Sequence, residues 1–413
     1  MSISALAPDR PLVVRTDAVD DPGDLLGLLP ESGLAWVRRG DGMVAWGEVA
    51  RAEFSGPTRF TDAASWWREV TRGAVVRDEV EAAGTGPVAF GSFAFTDDGA
   101  SVLIVPEVVV GRRDGRAWVT TATVGDRVPG PGVPRRGTPR DPGAVGYAPG
   151  SLSAAEWMAA VSEAVTRIGR GELEKVVLAR DVVVTTEHPL DPRWPLARLA
   201  SQYPHCWTFH VDGLLGATPE MLIRLERGLA TSRVLAGTIR RTGDDTRDLA
   251  LAASLARSSK DLEEHELAVR SVAEALADHC SSMNVPETPF VLHLPNVMHL
   301  ATDVTGVLHD GRSTLELVAD LHPSAAVCGT PTSQARAAIA ELERMDRGRY
   351  AGPVGWIDAH GDGEWALALR CAHVEDARTL RLFAGCGIVA GSDPADELAE
   401  SEAKLTPMRD ALA

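Results

Sequence analysis

The 413-residue sequence has few aromatic residues (5%), only five cysteines and no apolar stretch long enough to span a bilayer. The cysteines are odd in number and include no CxxC pair, which disfavours a disulfide framework or a zinc site; they are Cys206, Cys280, Cys328, Cys371 and Cys386. The first residues also lack the apolar run of a signal peptide. We therefore expect a cytoplasmic protein with no membrane partner.

Positive charge is also in short supply. Lysine and arginine number 41 against 58 acidic residues, which gives a formal net charge of −17. General binders of nucleic acid or anionic membranes need a basic face, so both classes are disfavoured. An anionic small substrate is still allowed, because a metal ion or a few buried cations can reverse the local potential.

The chain changes character at residues 126–151, which contain six prolines and six glycines. This composition predicts an irregular linker or exposed loop. Residues 1–125 contain strand-like runs but no group of candidate catalytic or metal-binding residues, so we expect them to extend a sheet of the same fold. The candidate chemistry lies in residues 152–413.

The secondary structure predicted for 152–413 alternates strand pairs with helices. Ser153 and Glu156 have capping-box spacing at a helix start, and Glu174–Thr185 is predicted to be a strand. Single strands are also predicted at Thr208–Leu214 and Trp365–His373, and helix near Asp244–His279. Hairpin-like pairs without strict βαβ alternation favour an α+β fold with antiparallel sheets over a doubly wound parallel sheet.

Two acidic helices could hold a metal ion. Asp261 and Glu264 share one helix face, and Glu397, Glu400 and Lys404 share another, each beside apolar residues. Two facing carboxylate pairs would suit Mg²⁺, which prefers oxygen ligands. The alternative is that both are ordinary amphipathic surface helices.

Two further residues could carry acid–base chemistry. Lys175 shares a strand face with Val177 and could act as a general base if it is desolvated, or could simply reach water at the strand edge. Glu220 begins a strand after Pro219, and apolar surroundings would raise its pKa and make it a general acid. The alternative for Glu220 is an exposed glutamate at a strand end.

Glycine-bearing turns at Gly237-Thr238 and Gly385-Cys386-Gly387 could bring backbone N–H groups close to an anion. None of them matches a nucleotide-binding loop. Arg370 could bind a carboxylate through two hydrogen bonds or form a structural ion pair.

Taken in order, these segments resemble the chorismate-utilising enzyme family, which includes isochorismate, salicylate, anthranilate and aminodeoxychorismate synthases. The resemblance covers about Ser153 to Leu412. The motifs that carry it are Lys175–Arg180, Thr218-Pro-Glu-Met-Leu, Leu235-Ala-Gly-Thr, Ser259-Lys-Asp-Leu-Glu-Glu-His, Met298-His-Leu, the segment His322–Pro331, Tyr350-Ala-Gly-Pro-Val-Gly, Ala384-Gly-Cys-Gly-Ile-Val and Glu397…Glu400…Lys404.

The resemblance implies a fold, a substrate and a cofactor. The fold would be two packed, largely antiparallel sheets flanked by helices, the substrate chorismate and the cofactor Mg²⁺. Glu264 and Glu400 would hold the metal, with Asp261 and Glu397 contributing direct or water-mediated contacts. Residues matching the carboxylate-binding set are Gly237, Thr238, Tyr350, Arg370, Gly385, Gly387 and Lys404; His299 and His265 would line the site.

The resemblance also implies a reaction. Lys175 would activate water for attack at ring C2, and Glu220 would protonate the departing C4 hydroxyl. Ala326, where ammonia-using members carry threonine, is similar to the water-using, isochorismate-forming branch. Salicylate synthase, which also eliminates pyruvate, is the nearest alternative; an amine-using enzyme and a non-catalytic partner-binding subunit are further ones. We expect a monomer.

Overall fold

Short antiparallel strands joined by tight turns account for most of the architecture. The structure is a computed structural model that describes residues 10–125 and 137–413, together with the backbone of Ile3–Ser4. The strands in chain order are β1 (Ile3–Ser4), β2 (Leu12–Val19), β3 (Leu34–Arg38), β4 (Asp41–Trp46), β5 (Ala50–Phe54), β6 (Val75–Asp78), β7 (Val88–Ser92), β8 (Ser101–Val105), β9 (Val108–Arg113), β10 (Arg116–Val124), β11 (Val145–Pro149), β12 (Lys175–Thr186), β13 (Trp207–Val211), β14 (Leu214–Thr218), β15 (Met221–Glu226), β16 (Leu229–Arg240), β17 (Cys280–Asn284), β18 (Phe290–His293), β19 (Val297–Leu308), β20 (Gly329–Thr330), β21 (Pro353–Asp358), β22 (Gly363–Leu367), β23 (Cys371–Val374) and β24 (Thr379–Ile388).

The helices lie between these strands and at the C-terminal end of the described chain. They are α1 (Arg59–Arg72), α2 (Ala154–Gly169), α3 (Arg193–Gln202), α4 (Asp245–Leu255), α5 (Ser259–Ala277), α6 (Thr314–Leu321), α7 (Thr332–Leu342) and α8 (Pro394–Leu412). The predicted capping box begins α2, where Ser153 and Glu156 bond to each other's backbone N–H. No helix in the described part of the chain is long and apolar enough to cross a membrane.

The strands form two sheets. The order in the first is β1-β5-β8-β7-β21-β22-β15-β16-β19-β17, with β18 also paired to β19. The order in the second is β11-β12-β24-β23-β14-β13-β3-β4-β9-β10-β2-β6, with β20 also paired to β12. Among the described pairings only β2 with β6 is parallel. The predicted α+β fold with two largely antiparallel sheets flanked by helices is therefore confirmed.

Two-residue turns set the register of several hairpins. Asp114-Gly115 joins β9 to β10 and Asp212-Gly213 joins β13 to β14, and all four residues have φ between 50° and 77°. Turns with two positive φ angles match the twist of the strands they connect, and a second glycine adopts this conformation without strain. Thr208–Leu214, predicted to be one strand, is therefore a strand, a turn and the first residue of the next strand.

The two sheets pack against each other through a shared apolar core. Trp36 and Phe209 of the second sheet and Phe90 and Trp365 of the first belong to one buried cluster. Helix α5 covers β16 and β19 of the first sheet, whereas α8 lies on β24 of the second. Lys260 of α5 pairs with Glu397 of α8 at 2.6 Å, so the two acid-bearing helices meet at this point.

The structure differs from three expectations about secondary structure. Asp244–His279 forms two helices, α4 and α5, because Ala256–Ser258 separate them. Trp365–His373 is not one strand: β22 lies in the first sheet and β23 in the second, and Arg370 between them has φ 49°. The chain crosses from one sheet to the other at this point.

The third difference concerns the Pro/Gly-rich segment 126–151, of which residues 126–136 lie outside the described part. Residues 137–144 form no helix or strand, but Val145–Pro149 forms β11 and pairs with β12. The expectation of an irregular segment is therefore wrong for β11, since an edge strand tolerates proline and glycine where the neighbouring strand supplies its hydrogen bonds. Strands from the first 125 residues lie in both sheets.

Candidate active site

A cavity of about 60 Å³ lies where β12, β16, β24, α5 and α8 converge. Most of the residues singled out in the sequence line it, although they come from distant parts of the chain. Those residues are Glu220, Gly237, Thr238, Glu264, His299, Ala326, Tyr350, Arg370, Gly385, Gly387 and Lys404. The fold thus brings the separate motifs to one place.

Lys175 lies beside this cavity at the first residue of β12. Its side chain is fully buried, and its Nζ lies 3.2 Å from Glu264 Oε1 and 3.5 Å from the Glu264 carbonyl oxygen. A Cβ atom at position 387 would lie 1.9 Å from Glu264 Oε1 and 3.0 Å from Lys175 Cε, so glycine at 387 leaves room for this ion pair. The alternative in which the lysine reaches water is therefore wrong.

Glu220 follows Pro219 and lies just before β15, with only 5% of its surface exposed. Burial raises the pKa of the Glu220 carboxyl to about 8, although the positive charge of Lys175 opposes the shift. Most of the carboxyl is therefore protonated at neutral pH and can donate a proton. The alternative of an exposed glutamate at a strand end is wrong.

One end of the cavity is rich in hydrogen-bond donors. Arg370 Nη2 lies 2.9 Å from His299 Nε2, and His299 Nδ1 lies 3.1 Å from Thr238 Oγ1. Burial, followed by the charges of Arg370 and Lys404, lowers the pKa of His299 well below its ordinary value. A neutral imidazole would accept from Arg370 at Nε2 and donate from Nδ1. The histidine thus orients the guanidinium at the cavity wall.

Tyr350 and Lys404 complete this end. The Tyr350 ring stacks on Phe383 with 5.0 Å between centroids, and burial raises the pKa of its hydroxyl. Lys404 Nζ donates to the Gly385 carbonyl at 2.9 Å and pairs with Glu400 at 2.6 Å. Burial alone would lower the pKa of Lys404, but Glu400 raises it, so the amine stays charged. These groups form a cationic region suited to a carboxylated ligand.

The predicted carboxylates of α5 and α8 lie together on the adjoining side. Asp261, Glu397 and Glu400 line a neighbouring opening, which shares Thr238 with the cavity. Burial first, and then the like charge of Glu400, raises the pKa of Glu397. Burial also raises the pKa of Asp261, and the charges of Glu264 and Glu400 add to that shift. Glu397 is buried and Asp261, Glu264 and Glu400 are partly buried, so these carboxylates lie on the inward-facing sides of α5 and α8.

This cluster fits a hard divalent cation. Carboxylate oxygens are the ligands that Mg²⁺ prefers. Three of these carboxylates also pair with lysines, Glu264 with Lys175, Glu397 with Lys260 and Glu400 with Lys404. The Cys386 sulfur also lies within 4.8 Å of ligand oxygens of Glu397 and Glu400. Burial raises the pKa of this thiol, and it donates to the Glu397 carbonyl at 3.3 Å. The protonated thiol leaves oxygen atoms as the available ligands.

Several residues of the site differ from the sequence analysis or were missed by it. His265 does not line the cavity; its Nε2 lies 2.8 Å from Thr302 Oγ1, and the ring is buried. Lys260 was missed, although it pairs with Glu397 at 2.6 Å and stands beside Asp261 in sequence. Arg347 was missed too, since no local pattern around it distinguishes it from a surface arginine.

Comparisons with known proteins agree with this arrangement. Residues 36–128 and 140–413 match the family described as "Chorismate binding enzyme". The isochorismate synthase DhbC of Bacillus subtilis is 42% identical over 264 residues, which are 61% of this chain and 66% of that protein. The isochorismate synthase EntC of Escherichia coli K12 is 40% identical over 253 residues, covering 60% of this chain and 64% of EntC.

Each of these alignments spans less than two thirds of the curated relative. A solved structure matches over a greater length. MenF, the menaquinone-specific isochorismate synthase from Escherichia coli, superposes with a TM-score of 0.81 at 25% identity and covers 100% of this chain and 96% of its own.

Proposed function

This chain belongs to the family of chorismate-binding enzymes, and from that premise we propose that it is an isochorismate synthase. It would convert chorismate to isochorismate, the activity named for the relatives DhbC and EntC. The observation that carries the proposal is the pairing of a buried amine, Lys175, with a buried and largely protonated carboxyl, Glu220, beside one cavity.

The cationic end of the cavity would bind the substrate. Arg370 presents a guanidinium held by His299, and Lys404 adds a second charge. Tyr350 and the backbone at Gly237, Thr238, Gly385 and Gly387 would provide further donors for carboxylate oxygens. Fixed donors of this kind orient the ring, so that the attacking and leaving positions face different side chains.

The reaction would need one base and one acid. Lys175 would act after its ammonium has released a proton. The neutral amine would take a proton from water as the water oxygen bonds to ring C2. The ring double bonds shift, the C4–O bond breaks, and Glu220 would give its proton to the departing hydroxyl, which leaves as water. The net change is an isomerisation, so no oxidant or reductant is required. Ala326 lies at the cavity wall, where the ammonia-using family members carry a threonine. Its methyl side chain places no hydroxyl beside the attacking water.

Glu264 and Glu400 would hold Mg²⁺, with Asp261 and Glu397 contributing further direct or water-mediated contacts. A bound Mg²⁺ would supply positive charge beside the substrate carboxylate. This charge would stabilise negative charge that develops on the conjugated ring during the reaction. A cytoplasmic location and a monomeric state remain predictions. The free thiols of all five cysteines fit a reducing compartment.

A product assay tests the function. Purified protein incubated with chorismate and Mg²⁺ is expected to form isochorismate, measured by separating the products chromatographically. Salicylate with pyruvate would instead support a salicylate synthase, and anthranilate formed with ammonia would support the amine-using branch. If chorismate is recovered unchanged both with and without ammonia, a non-catalytic binding role is favoured and the proposal is wrong.

Replacing Glu400 with glutamine is expected to weaken Mg²⁺ binding by at least the roughly 10- to 100-fold that loss of an outer-shell partner costs. The reason is that an amide keeps the shape of the side chain but loses the charge. Calorimetric Mg²⁺ titration of the protein and the Mg²⁺ dependence of turnover both measure the change.

The matched control for this experiment is Glu402→Gln on the same helix. Glu402 pairs with Arg180 and Arg409, and 41% of its side chain is exposed. Its replacement should leave the Mg²⁺ titration unchanged. Equal titrations for wild type and Glu400→Gln would refute the ligand assignment.

A further inference from the structure

The edge of β12 opposite β24 is paired along only part of its length. On this edge β20 pairs with Lys175 and Val176, and β11 pairs with residues 182–186. Between these two pairings, in the described chain, other groups meet the β12 backbone. The Val177 N–H donates to the Cys328 carbonyl at 2.7 Å, and the Ala179 carbonyl accepts from Trp157 Nε1 at 3.1 Å.

A buried ion pair fills the rest of this gap. The Ala179 N–H donates to Glu343 Oε1 at 2.7 Å, and Arg347 Nη2 donates to the Val177 carbonyl at 2.8 Å. Glu343 and Arg347 are 2% and 3% exposed and lie four residues apart after α7. Their side chains thus take the place of a neighbouring strand just beyond Lys175.

The same arginine also holds the loop that carries Ala326. Arg347 Nη1 donates to the Val327 carbonyl at 2.9 Å, and its Nε and Nη2 donate to Glu343 at 2.9 and 2.5 Å. The guanidinium lies 4.2 Å from the centroid of Phe95. Although Arg347 borders the cavity, its donors point into the protein, so it is not placed to bind substrate as Arg370 is.

We propose that Glu343 and Arg347 form a positioning pair, which holds the strand of Lys175 at a fixed distance from the loop of Ala326. The proposal rests on the function proposed above. Water attacking the ring would have to lie between the strand of Lys175 and the loop of Ala326. A displacement of a catalytic group by about 1 Å can lower the rate about 10²-fold. The planar guanidinium reaches three separated acceptors at once, which a lysine cannot do.

The test compares Arg347→Lys with wild type in steady-state kinetics. Lysine keeps the charge but cannot make all of the arginine's bonds, so kcat is expected to fall about 10- to 100-fold while KM for chorismate changes less than about threefold. The control is Arg193→Lys, since Arg193 pairs with fully buried Asp191 at 2.6 Å and borders none of the cavities described. The control should leave both constants unchanged.

Two kinetic results would overturn the proposal. One is an unchanged kcat in Arg347→Lys, and the other is a rise in KM as large as the fall in kcat, which would make Arg347 a substrate contact. Glu343→Asp provides a second variant if Arg347→Lys does not fold, because it keeps the charge but shortens the arm that reaches both Ala179 and Arg347.

Hydrogen exchange separates this proposal from the proposed function. In Glu343→Asp the Ala179 amide should exchange faster than in wild type, whereas amides of β11 should be unaffected. Unchanged protection at Ala179 would refute the positioning role even if isochorismate is formed. If the Ala179 amide exchanges faster in Glu343→Asp but the wild-type protein forms no isochorismate, the proposed function is refuted. The Glu343–Arg347 pair would then have only a structural role.

Discussion

Lys175→Met is expected to lower kcat for isochorismate formation by about 10²- to 10⁴-fold, the usual contribution of a positioned acid or base. Methionine fills nearly the same buried space but cannot take a proton from water. KM for chorismate should change little, since the carboxylate-binding residues are elsewhere in the cavity. Initial rates at saturating chorismate and Mg²⁺ measure the effect.

The control for this variant is Arg170→Met, which removes a positive charge whose side chain is 65% exposed. Thermal denaturation should show that both variants fold. Because Lys175 also pairs with Glu264 at 3.2 Å, the Mg²⁺ titration must be repeated for Lys175→Met. If saturating Mg²⁺ restored wild-type kcat, Lys175 would be a partner of the metal ligand and not the base.

Glu220→Gln is expected to lower kcat by a similar factor, about 10²- to 10⁴-fold, because an amide cannot donate a proton to the leaving hydroxyl. The ionisation of Glu220 should be visible in the pH dependence of wild-type activity. With the pKa raised to about 8, Glu220 is protonated below that pH and loses its proton above it. Activity dependent on Glu220 should therefore decline as pH rises through about 8.

The pH profile makes this second experiment specific. In Glu220→Gln the residual rate should no longer decline near pH 8, since the titrating group is gone. Glu226→Gln is the matched control on β15, with a half-exposed carboxyl paired to Arg224. If the decline near pH 8 persists unchanged in Glu220→Gln, another group is the acid.

The opposite behaviour of two neighbouring carboxyls shows how the fold divides their roles. Glu264 Oε1 lies 3.2 Å from the Nζ of buried Lys175. Glu220 accepts a backbone hydrogen bond from Leu235 and receives no comparable ion pair among the described contacts, so burial dominates its pKa. One carboxyl is thereby suited to hold a cation and the other to donate a proton.

Much of the site could be predicted because the spacing of residues within a short segment determines which side chains share a helix or strand face. Helix spacing placed Asp261 with Glu264 and Glu397 with Glu400 on shared faces, and strand alternation placed Lys175 with Val177. The capping box at Ser153 predicted the start of α2, and hairpin-like strand pairs without strict βαβ alternation predicted antiparallel sheets. The ordered motifs predicted the family, which the comparisons confirm.

Other features depend on contacts that no local pattern encodes. Arg370 was predicted to lie within the strand Trp365–His373, but it lies where the chain passes between the sheets. There its guanidinium contacts His299. Lys260 meets Glu397 across 137 residues, and Arg347 meets Val177 across 170. Such pairs exist only in the packed structure, where segments far apart in the chain lie side by side.

The amino-acid sequence by itself determined which residue types stand on which face of each helix and strand, because those periodicities are properties of the local backbone. Only the tertiary structure decided that Glu264 pairs with Lys175 whereas Glu220 is buried and largely protonated. It also decided that Arg370 faces the cavity whereas the donors of Arg347 bond to groups inside the protein. The physical reason is that burial and the nearest opposite charge set these properties, and both arise from residues far apart in the chain.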